Sequence, residues 1–268
     1  MRIDSSAGGL PGYLKEVYLF RELLWAFAAK DIKARFANTL LGTGWLILQP
    51  VLLVLIFTLI FSMGAGIDTG NVPYPVFIMG GILLWEYFSS VVYESGSSFL
   101  VDSGMVQKIY FPKILLPCSK SIARMVDLLF NLALLVVLSF VFGYWLKIKL
   151  FYAFLFIVLL YLLTIVASIW ASILVSQYQD LKELIPFVLR VFFFLTPILY
   201  PMEMVPGQFH WIIKLNPMTG LINGFRWSVF GIGEFHFIEL APMLFVVVLL
   251  IWGLIYFSNR EGKLADIV

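Results

Sequence analysis

Long uncharged apolar stretches constrain this chain more than any other feature. No charged residue occurs from Ala37 to Ile67, and none occurs from Leu150 to Gln179. A helix that crosses a hydrocarbon core of roughly 30 Å needs about 20 apolar residues, so each stretch is long enough for one crossing. The apolar residues run continuously instead of alternating with polar ones, which argues against a membrane β-barrel. The sequence therefore predicts an all-α polytopic membrane protein.

Composition supports this fold class and narrows the function. Hydrophobic residues make up 62% of the 268-residue chain and charged residues only 13%, whereas soluble domains average about 45–50% and about 25%. The net charge of +2 argues against a nucleic-acid partner. One cysteine, Cys118, and two histidines exclude a disulfide framework and leave few ligands for zinc. We therefore expect no metal site and no cofactor in this chain.

The apolar stretches predict six transmembrane helices, so both termini lie on one side of the membrane. The other side holds only Lys147, Lys149, Lys214 and Arg226 of the 18 Lys and Arg residues. Because basic residues concentrate in cytoplasmic loops, we expect both termini in the cytoplasm. The predicted spans lie near Leu40–Phe61, Pro75–Ser95, Leu116–Val141, Leu150–Gln179, Leu184–Tyr200 and Leu240–Ser258.

Residues 1–268 are interpreted as one membrane domain with three segments outside the spans. Residues 10–35 mix apolar, aromatic and charged positions, which predicts an amphipathic helix in the membrane interface; a helix packed on the protein itself is the alternative. Its basic residues are Arg21, Lys30, Lys33 and Arg35. Residues 99–116 are polar and then basic, and predict a cytoplasmic loop. Residues 203–236 contain short apolar runs broken by Gly and Pro, which predict two re-entrant or interfacial helices before the last span.

Charged residues within the predicted spans are candidates for function, because intramembrane charge is costly and is usually paired or functional. They are Glu86, Glu94, Asp127 and Arg190. The long side chain of Arg190 could reach Glu86 or Asp127, so a structural ion pair is the first interpretation. A gating element and a proton or ion relay are the alternatives. Arg124 and Asp127 are three residues apart on one helix face and can pair locally.

The many aromatic residues have an ordinary explanation in the interfacial belt and in helix packing. An aromatic face can also stack on sugar rings without adding charge to a transport path. The candidates for such a path are Trp85, Tyr87, Phe88, Phe192, Phe193, Phe194 and Tyr200. No G-x-x-x-x-G-K-[ST], H-E-x-x-H or G-x-S-x-G motif occurs, so the chain itself is not expected to be an enzyme.

Four groups of residues, in chain order, resemble the sequence signature of ABC-2-type polysaccharide export permeases. That family includes exporters of O-antigen lipopolysaccharide, capsule and teichoic acid chains. In the turn 179–183 the family has Arg where this chain has Gln179. The matching segments are Arg21-Glu22-Leu23 with Lys30–Phe36, Leu40–Trp45 and Gln49-Pro50; Val106–Pro117; Gln179–Glu183; and Thr196–Pro201 with Leu215–Met218 and Arg226.

The resemblance implies a membrane subunit of a bacterial inner-membrane exporter. Two copies of the chain would form a channel for a lipid-linked polysaccharide, with O-antigen lipopolysaccharide the favoured cargo. Two copies of a separate P-loop ATPase would bind ATP and Mg. The implied ATPase-coupling residues are Gln107, Lys108, Ile109, Tyr110, Phe111 and Asp180. Asn216 and Arg226 join the candidate substrate path, Arg226 as a contact for a pyrophosphate group.

Other functions stay open from the sequence. An ion-coupled secondary transporter that works without an ATPase would use Glu86, Asp127 and Arg190. A teichoic acid or capsule exporter of the same family is a second alternative. A membrane enzyme acting on lipid-linked sugars has weaker support, because the external acidic residues Glu234 and Glu239 lack the spacing of a metal site.

Overall fold

The computed structural model describes residues 9–37, 40–64, 66–106 and 108–267. The described chain is built from α-helices joined by turns and short 3-10 segments, α3 continues into a π-helical segment at Thr58–Gly64, and no strand occurs within the described residues. The α-helices are α1 (Gly9–Leu19), α2 (Arg21–Phe36), α3 (Trp45–Phe57), α4 (Tyr74–Val101), α5 (Ser103–Val106), α6 (Leu115–Val141), α7 (Leu150–Gln177), α8 (Leu181–Leu195), α9 (His210–Leu215), α10 (Pro217–Phe230) and α11 (Pro242–Ile267).

Five helical segments of the described chain are long and apolar enough to cross a membrane, so the polytopic prediction is supported. They are Gly42–Ser62, Tyr74–Val101, Leu115–Val141, Leu150–Gln177 and Phe237–Ser258. The predicted span Leu184–Tyr200 corresponds to α8, which has 15 residues and is about 22 Å long. It is shorter than predicted because the chain becomes extended at Thr196, directly before Pro197.

Helix α4 is the central element, and 19 of its 28 residues are buried. It packs against α6 and α7 along most of its length. Glycines of α4 also allow close packing against α10 and α8, as in many membrane helix pairs. A Cβ atom at Gly80 would lie 2.7 Å from the ring of Phe230, and one at Gly96 would lie 2.9 Å from Ile185.

Helices α1, α2 and α5 lie together at one end of the bundle, which we call the α2 end. The predicted amphipathic helix 10–35 is two helices separated at Phe20. Tyr13, Phe27 and Ala28 are buried against the protein, whereas the large apolar side chain of Trp25 is exposed. The segment therefore packs on its own chain on one side and presents apolar surface on the other.

Helices α9 and α10 lie near the opposite end, which we call the α10 end. The side chain of Asn216 caps α10 by accepting a hydrogen bond from the Met218 amide, and Gly231 ends the helix with a φ of 67°. Eleven of the fourteen α10 residues are buried. The region predicted at 203–236 therefore does contain two short helices. Helix α10 is enclosed by protein, whereas most of α9 is exposed, including Trp211.

Candidate functional site

A polar cavity of about 320 Å³ lies where α2, α3, α4 and α6 meet. Its charged and amide side chains come from four separate stretches of sequence. Arg35 lies in the last turn of α2, Gln49 lies in α3, and Glu86 lies in the middle of α4. The fourth stretch is one side of α6, where residues 124, 127 and 131 share a face because they are spaced by three and four. The polar lining is Arg35, Gln49, Glu86, Ser90, Arg124, Asp127 and Asn131.

Ion pairs hold the α2 end of this cavity together. Arg35 donates to both carboxylate oxygens of Asp127, each at 2.7 Å. Arg124 donates to Asp127 at 2.6 Å and also contacts Glu94 on α4. The local pairing of Arg124 with Asp127 is therefore confirmed. Asp127 has two cationic partners from two helices, so it ties α2 to α6.

The predicted ion pair of Arg190 with an acidic residue is wrong. Arg190 is exposed on α8 and, within the described residues, makes no salt bridge with Glu86 or Asp127. Depth along the helices suggested the pairing, but Asp127 is already bonded to Arg35 and Arg124. Arg190 and Glu86 instead line the same groove.

This groove has a volume of about 540 Å³ and lies between α3, α4 and α8. Aromatic rings form its wall: Phe193 stacks on Phe57 at 6.0 Å between ring centroids and meets the edge of Trp85 at 5.9 Å. Trp85 also contacts Phe88 at 5.7 Å. Glu86 lines both the groove and the polar cavity, so the two spaces adjoin at this residue.

The structure brings together only some of the predicted aromatic path. Trp85, Phe193 and Phe194 line the groove, and Phe88 supports Trp85. Phe192 is exposed on α8. Tyr200 donates its hydroxyl hydrogen to the Phe194 carbonyl at 3.0 Å and so closes the turn after α8. Tyr87 is buried away from the groove, where its hydroxyl donates to the Ser121 carbonyl at 3.2 Å.

Arg226 is a structural clamp in this conformation, not a free contact for a pyrophosphate group. Its two terminal nitrogens donate to the carbonyls of Pro197 and Ile198, each at 2.7 Å. The guanidinium carbon lies 3.6 Å from the centre of the Phe77 ring. Burial lowers the pKa of Arg226 to about 9, so the guanidinium stays charged at neutral pH. One hydrogen of each terminal nitrogen is bonded in this way, whereas Nε has no hydrogen-bond partner among the described residues. The side chain is only 4% exposed, which limits contact with a pyrophosphate group in this conformation.

Asn216 has a similar structural role. Its side-chain amide donates to the Thr196 hydroxyl at 2.8 Å, while its oxygen accepts from the Met218 amide at 3.0 Å. Together with Arg226 it fixes α10 to the turn that follows α8.

The segment predicted to couple to an ATPase has an exposed tip and a buried anchor. Lys108, Ile109 and Tyr110 are exposed. Phe111 is fully buried and meets Phe27 of α2 edge-on at 5.4 Å, so it cannot touch a partner directly in this conformation. Asp180 is exposed in the turn between α7 and α8. Gln107 lies outside the described residues.

Sequence reasoning missed the bonds that shape this segment. Lys113 is buried, and its ammonium group donates to the carbonyls of Val106 and Ile109 at 3.0 and 3.3 Å. Lys30 of the predicted interface helix pairs with Asp102 at 2.6 Å, and Lys120 pairs with Asp31 at 2.8 Å. These partners are 72 and 89 residues apart, so no local spacing could have revealed them. Arg21 stacks on Tyr18, and Lys33 is exposed.

Comparison with known proteins shows sequence similarity over nearly the whole chain. An O-antigen export system permease protein RfbA from Klebsiella pneumoniae is 28% identical over 256 residues, which cover 94% of this chain and 96% of that protein. One from Myxococcus xanthus is 29% identical over 258 residues, covering 92% and 96%. The polysialic acid transport protein KpsM from Escherichia coli is 25% identical over 250 residues, covering 90% and 95%. The family model described as ABC-2 type transporter matches residues 22–230. The chain therefore belongs to the ABC-2 type transporter family.

Proposed function

We propose that this chain is the membrane subunit of an ATP-driven exporter of a lipid-linked polysaccharide, with O-antigen lipopolysaccharide as the favoured cargo. The observation that carries the proposal is the similarity, over more than nine tenths of the chain, to permeases named for O-antigen export. The aromatic groove between α3, α4 and α8 supports it. Its rings offer flat surfaces on which a sugar can stack and from which it can slide.

ATP hydrolysis belongs to a separate partner in this proposal. The sequence has no P-loop motif, so a second protein has to bind ATP and Mg. Two copies of the permease and two copies of the ATPase would make the transporter. The apolar side chains of α3 and α8 that remain exposed, such as Leu52 and Phe187, are available to a second copy and to lipid.

The exposed tip Lys108–Tyr110 and Asp180 would form the docking surface for the ATPase. Phe111 supports this role because it joins the tip to the packed interior of the α2 end. A push on the tip would thus be carried to α2, α4 and α6. ATP binding would close the ATPase dimer and move these helices, and the channel between two copies would open outward.

We further propose six crossings, with the α2 end in the cytoplasm of a bacterial cell and the chain in its inner membrane. Helix α8 would be the additional crossing. Its apolar side chains are exposed rather than buried, as expected for contact with lipid or a second copy. Both termini then share the cytoplasmic side.

Co-purification tests the proposal. The tagged chain is purified in mild detergent from cells that express the native locus, and the bound proteins are identified. We expect a roughly equimolar P-loop ATPase. A clean homo-oligomer without an ATPase would contradict the proposal and favour an ion-coupled transporter.

A matched pair of variants locates the docking surface. Ile109→Asn changes the exposed tip, and Ile212→Asn changes an exposed isoleucine of α9 at the other end. We expect Ile109→Asn to lose the ATPase and Ile212→Asn to retain it. Equal recovery of the ATPase with both variants would show that the tip is not the contact.

A further inference from the structure

The polar residues of α4 and α6 face each other as two antiparallel rows. Glu86, Ser90 and Glu94 are spaced by four residues on α4, and Arg124, Asp127 and Asn131 lie on one face of α6. The contact of Glu94 with Arg124 fixes the register of the rows. Counted from it at 1.5 Å per residue, Glu86 lies about 12 Å along α4 and Asn131 about 10 Å along α6. The two side chains therefore lie at nearly the same depth, and both line the polar cavity.

The charges of this cavity leave Glu86 without a partner. Glu94, Arg124, Asp127 and Arg35 form one connected chain of two acids and two bases. Within the described residues, the Glu86 carboxylate takes part in no hydrogen bond or salt bridge. Glu86 is half-buried. A carboxylate that is partly withdrawn from water and left unpaired is costly, so it takes up a proton, a metal cation or a cationic side chain.

The side chain of Asn131 independently indicates that a hydrogen-bond donor is missing at the depth of Glu86. It is 6% exposed, and its side-chain oxygen Oδ1 has no hydrogen-bond partner among the described residues. Buried polar oxygens in proteins are almost always satisfied. Two acceptors without a hydrogen-bond partner among the described residues, the Glu86 carboxylate and Asn131 Oδ1, thus line one cavity.

We propose that Glu86 binds a proton at neutral pH and donates it as a hydrogen bond toward Asn131, directly or through a water molecule. The proton comes from water that reaches the cavity. A divalent metal ion fits poorly, because such ions draw on several carboxylates, and no group of three acidic, histidine or cysteine residues that could hold a metal occurs in the described chain. Arg190 lies on the groove side and forms no ion pair with Glu86.

Proton binding at Glu86 would set the charge of the aromatic groove, because Glu86 lines both spaces. With the proton bound, the groove wall on α4 is neutral. When the proton leaves, a negative charge faces Arg190 on α8 and attracts that helix. The other charged and titratable groups near Glu86 are Arg35 on α2, Tyr93 and Glu94 on α4, and Arg124 and Asp127 on α6, while α3 contributes the uncharged Gln49.

Infrared difference spectroscopy on the full chain in lipid nanodiscs tests this directly and needs no ATPase, so its outcome is independent of the proposed function. At pH 7 we expect a band from one protonated carboxyl group. The band should be lost in Glu86→Gln and retained in the control Glu94→Gln, which lies on the same helix but is already paired with Arg124. In Asn131→Leu the band should shift, because its acceptor is gone.

Two results would overturn the proposal. A wild-type spectrum without a protonated carboxyl band at pH 7 would mean that Glu86 is ionised. A band that disappears when sodium or potassium chloride is added at constant pH would assign the cavity to a metal cation. Titration of the wild-type chain alone decides between these outcomes if Glu86→Gln fails to fold.

Discussion

Replacing Arg226 by Met should destabilise the α10 end, because its guanidinium holds α10 against the segment after α8. The substitution removes two hydrogen bonds, to the carbonyls of Pro197 and Ile198. A hydrogen bond to a charged group contributes about 1.5–3 kcal/mol, so the expected loss is about 3–6 kcal/mol. At about 2–4 °C per kcal/mol, this corresponds to a fall in Tm of roughly 6–24 °C.

Thermal unfolding of the purified chain in one detergent measures the effect. Arg190→Met is the matched control, because Arg190 is exposed and makes no salt bridge within the described residues. We expect the control to change stability by no more than about 0.5 kcal/mol. The Tm of Arg226→Lys should lie between those of Arg226→Met and Arg190→Met, since one ammonium group cannot reproduce both hydrogen bonds of the planar guanidinium.

A backbone variant tests the same clamp without touching the arginine. A Cβ atom at Gly81 would lie 2.8 Å from a terminal nitrogen of Arg226 and 3.3 Å from the Ile198 backbone. Gly81→Ala should therefore lower Tm, whereas Gly12→Ala, where the new Cβ meets nothing within 4 Å, should not. Equal stability of Arg226→Met and Arg190→Met would refute the clamp.

Three further substitutions test other contacts. Phe111→Ala should cost about 3–5 kcal/mol of stability, because Phe111 is fully buried against Phe27. Thermal unfolding measures the loss, and Phe111→Leu should retain most of the stability. Gly224→Ala should sharply reduce the yield of monodisperse protein in size-exclusion chromatography, because its Cβ would lie 2.2 Å from the Phe156 ring; a normal elution profile would contradict this packing. Arg35→Gln should loosen the attachment of α2 to α6 by removing its bonds to Asp127, although the Asp31–Lys120 pair remains. Limited proteolysis should then cleave α2 faster than in the control Lys33→Gln, which changes an exposed residue of the same helix.

The membrane helices could be predicted from sequence because apolar length is a property of the chain itself. The prediction placed α6 and α7 within two residues of their observed ends. It overextended the span that corresponds to α8, since Tyr200 is apolar enough to continue the pattern but Thr196 and Pro197 end the helix. Hydropathy depends on side chains only, so it does not detect that the residue before a proline is disfavoured in helical conformation.

The site was less predictable because the side chains that pair with one another in it are distant in sequence. The pair Arg124–Asp127 follows from a spacing of three residues, whereas Arg35 reaches Asp127 across 92 residues. Phe111 and Arg226 were assigned to the coupling segment and the substrate path from the family resemblance, which carries no information on burial. Their burial depends on neighbours such as Phe27 and Phe77, which only the three-dimensional fold brings close.

The enclosure of α10 also determines how the α10 end can move. At Gly220 and Gly224 the helix backbone approaches Glu239 and Phe156 so closely that a single methyl group would collide, and Gly80 of α4 admits the Phe230 ring in the same way. Because these contacts leave no free space, α10 cannot be displaced while the helices around it keep their positions. Helices α4, α7 and α10 therefore form one rigid wall, and any widening at this end requires that wall to swing as a unit.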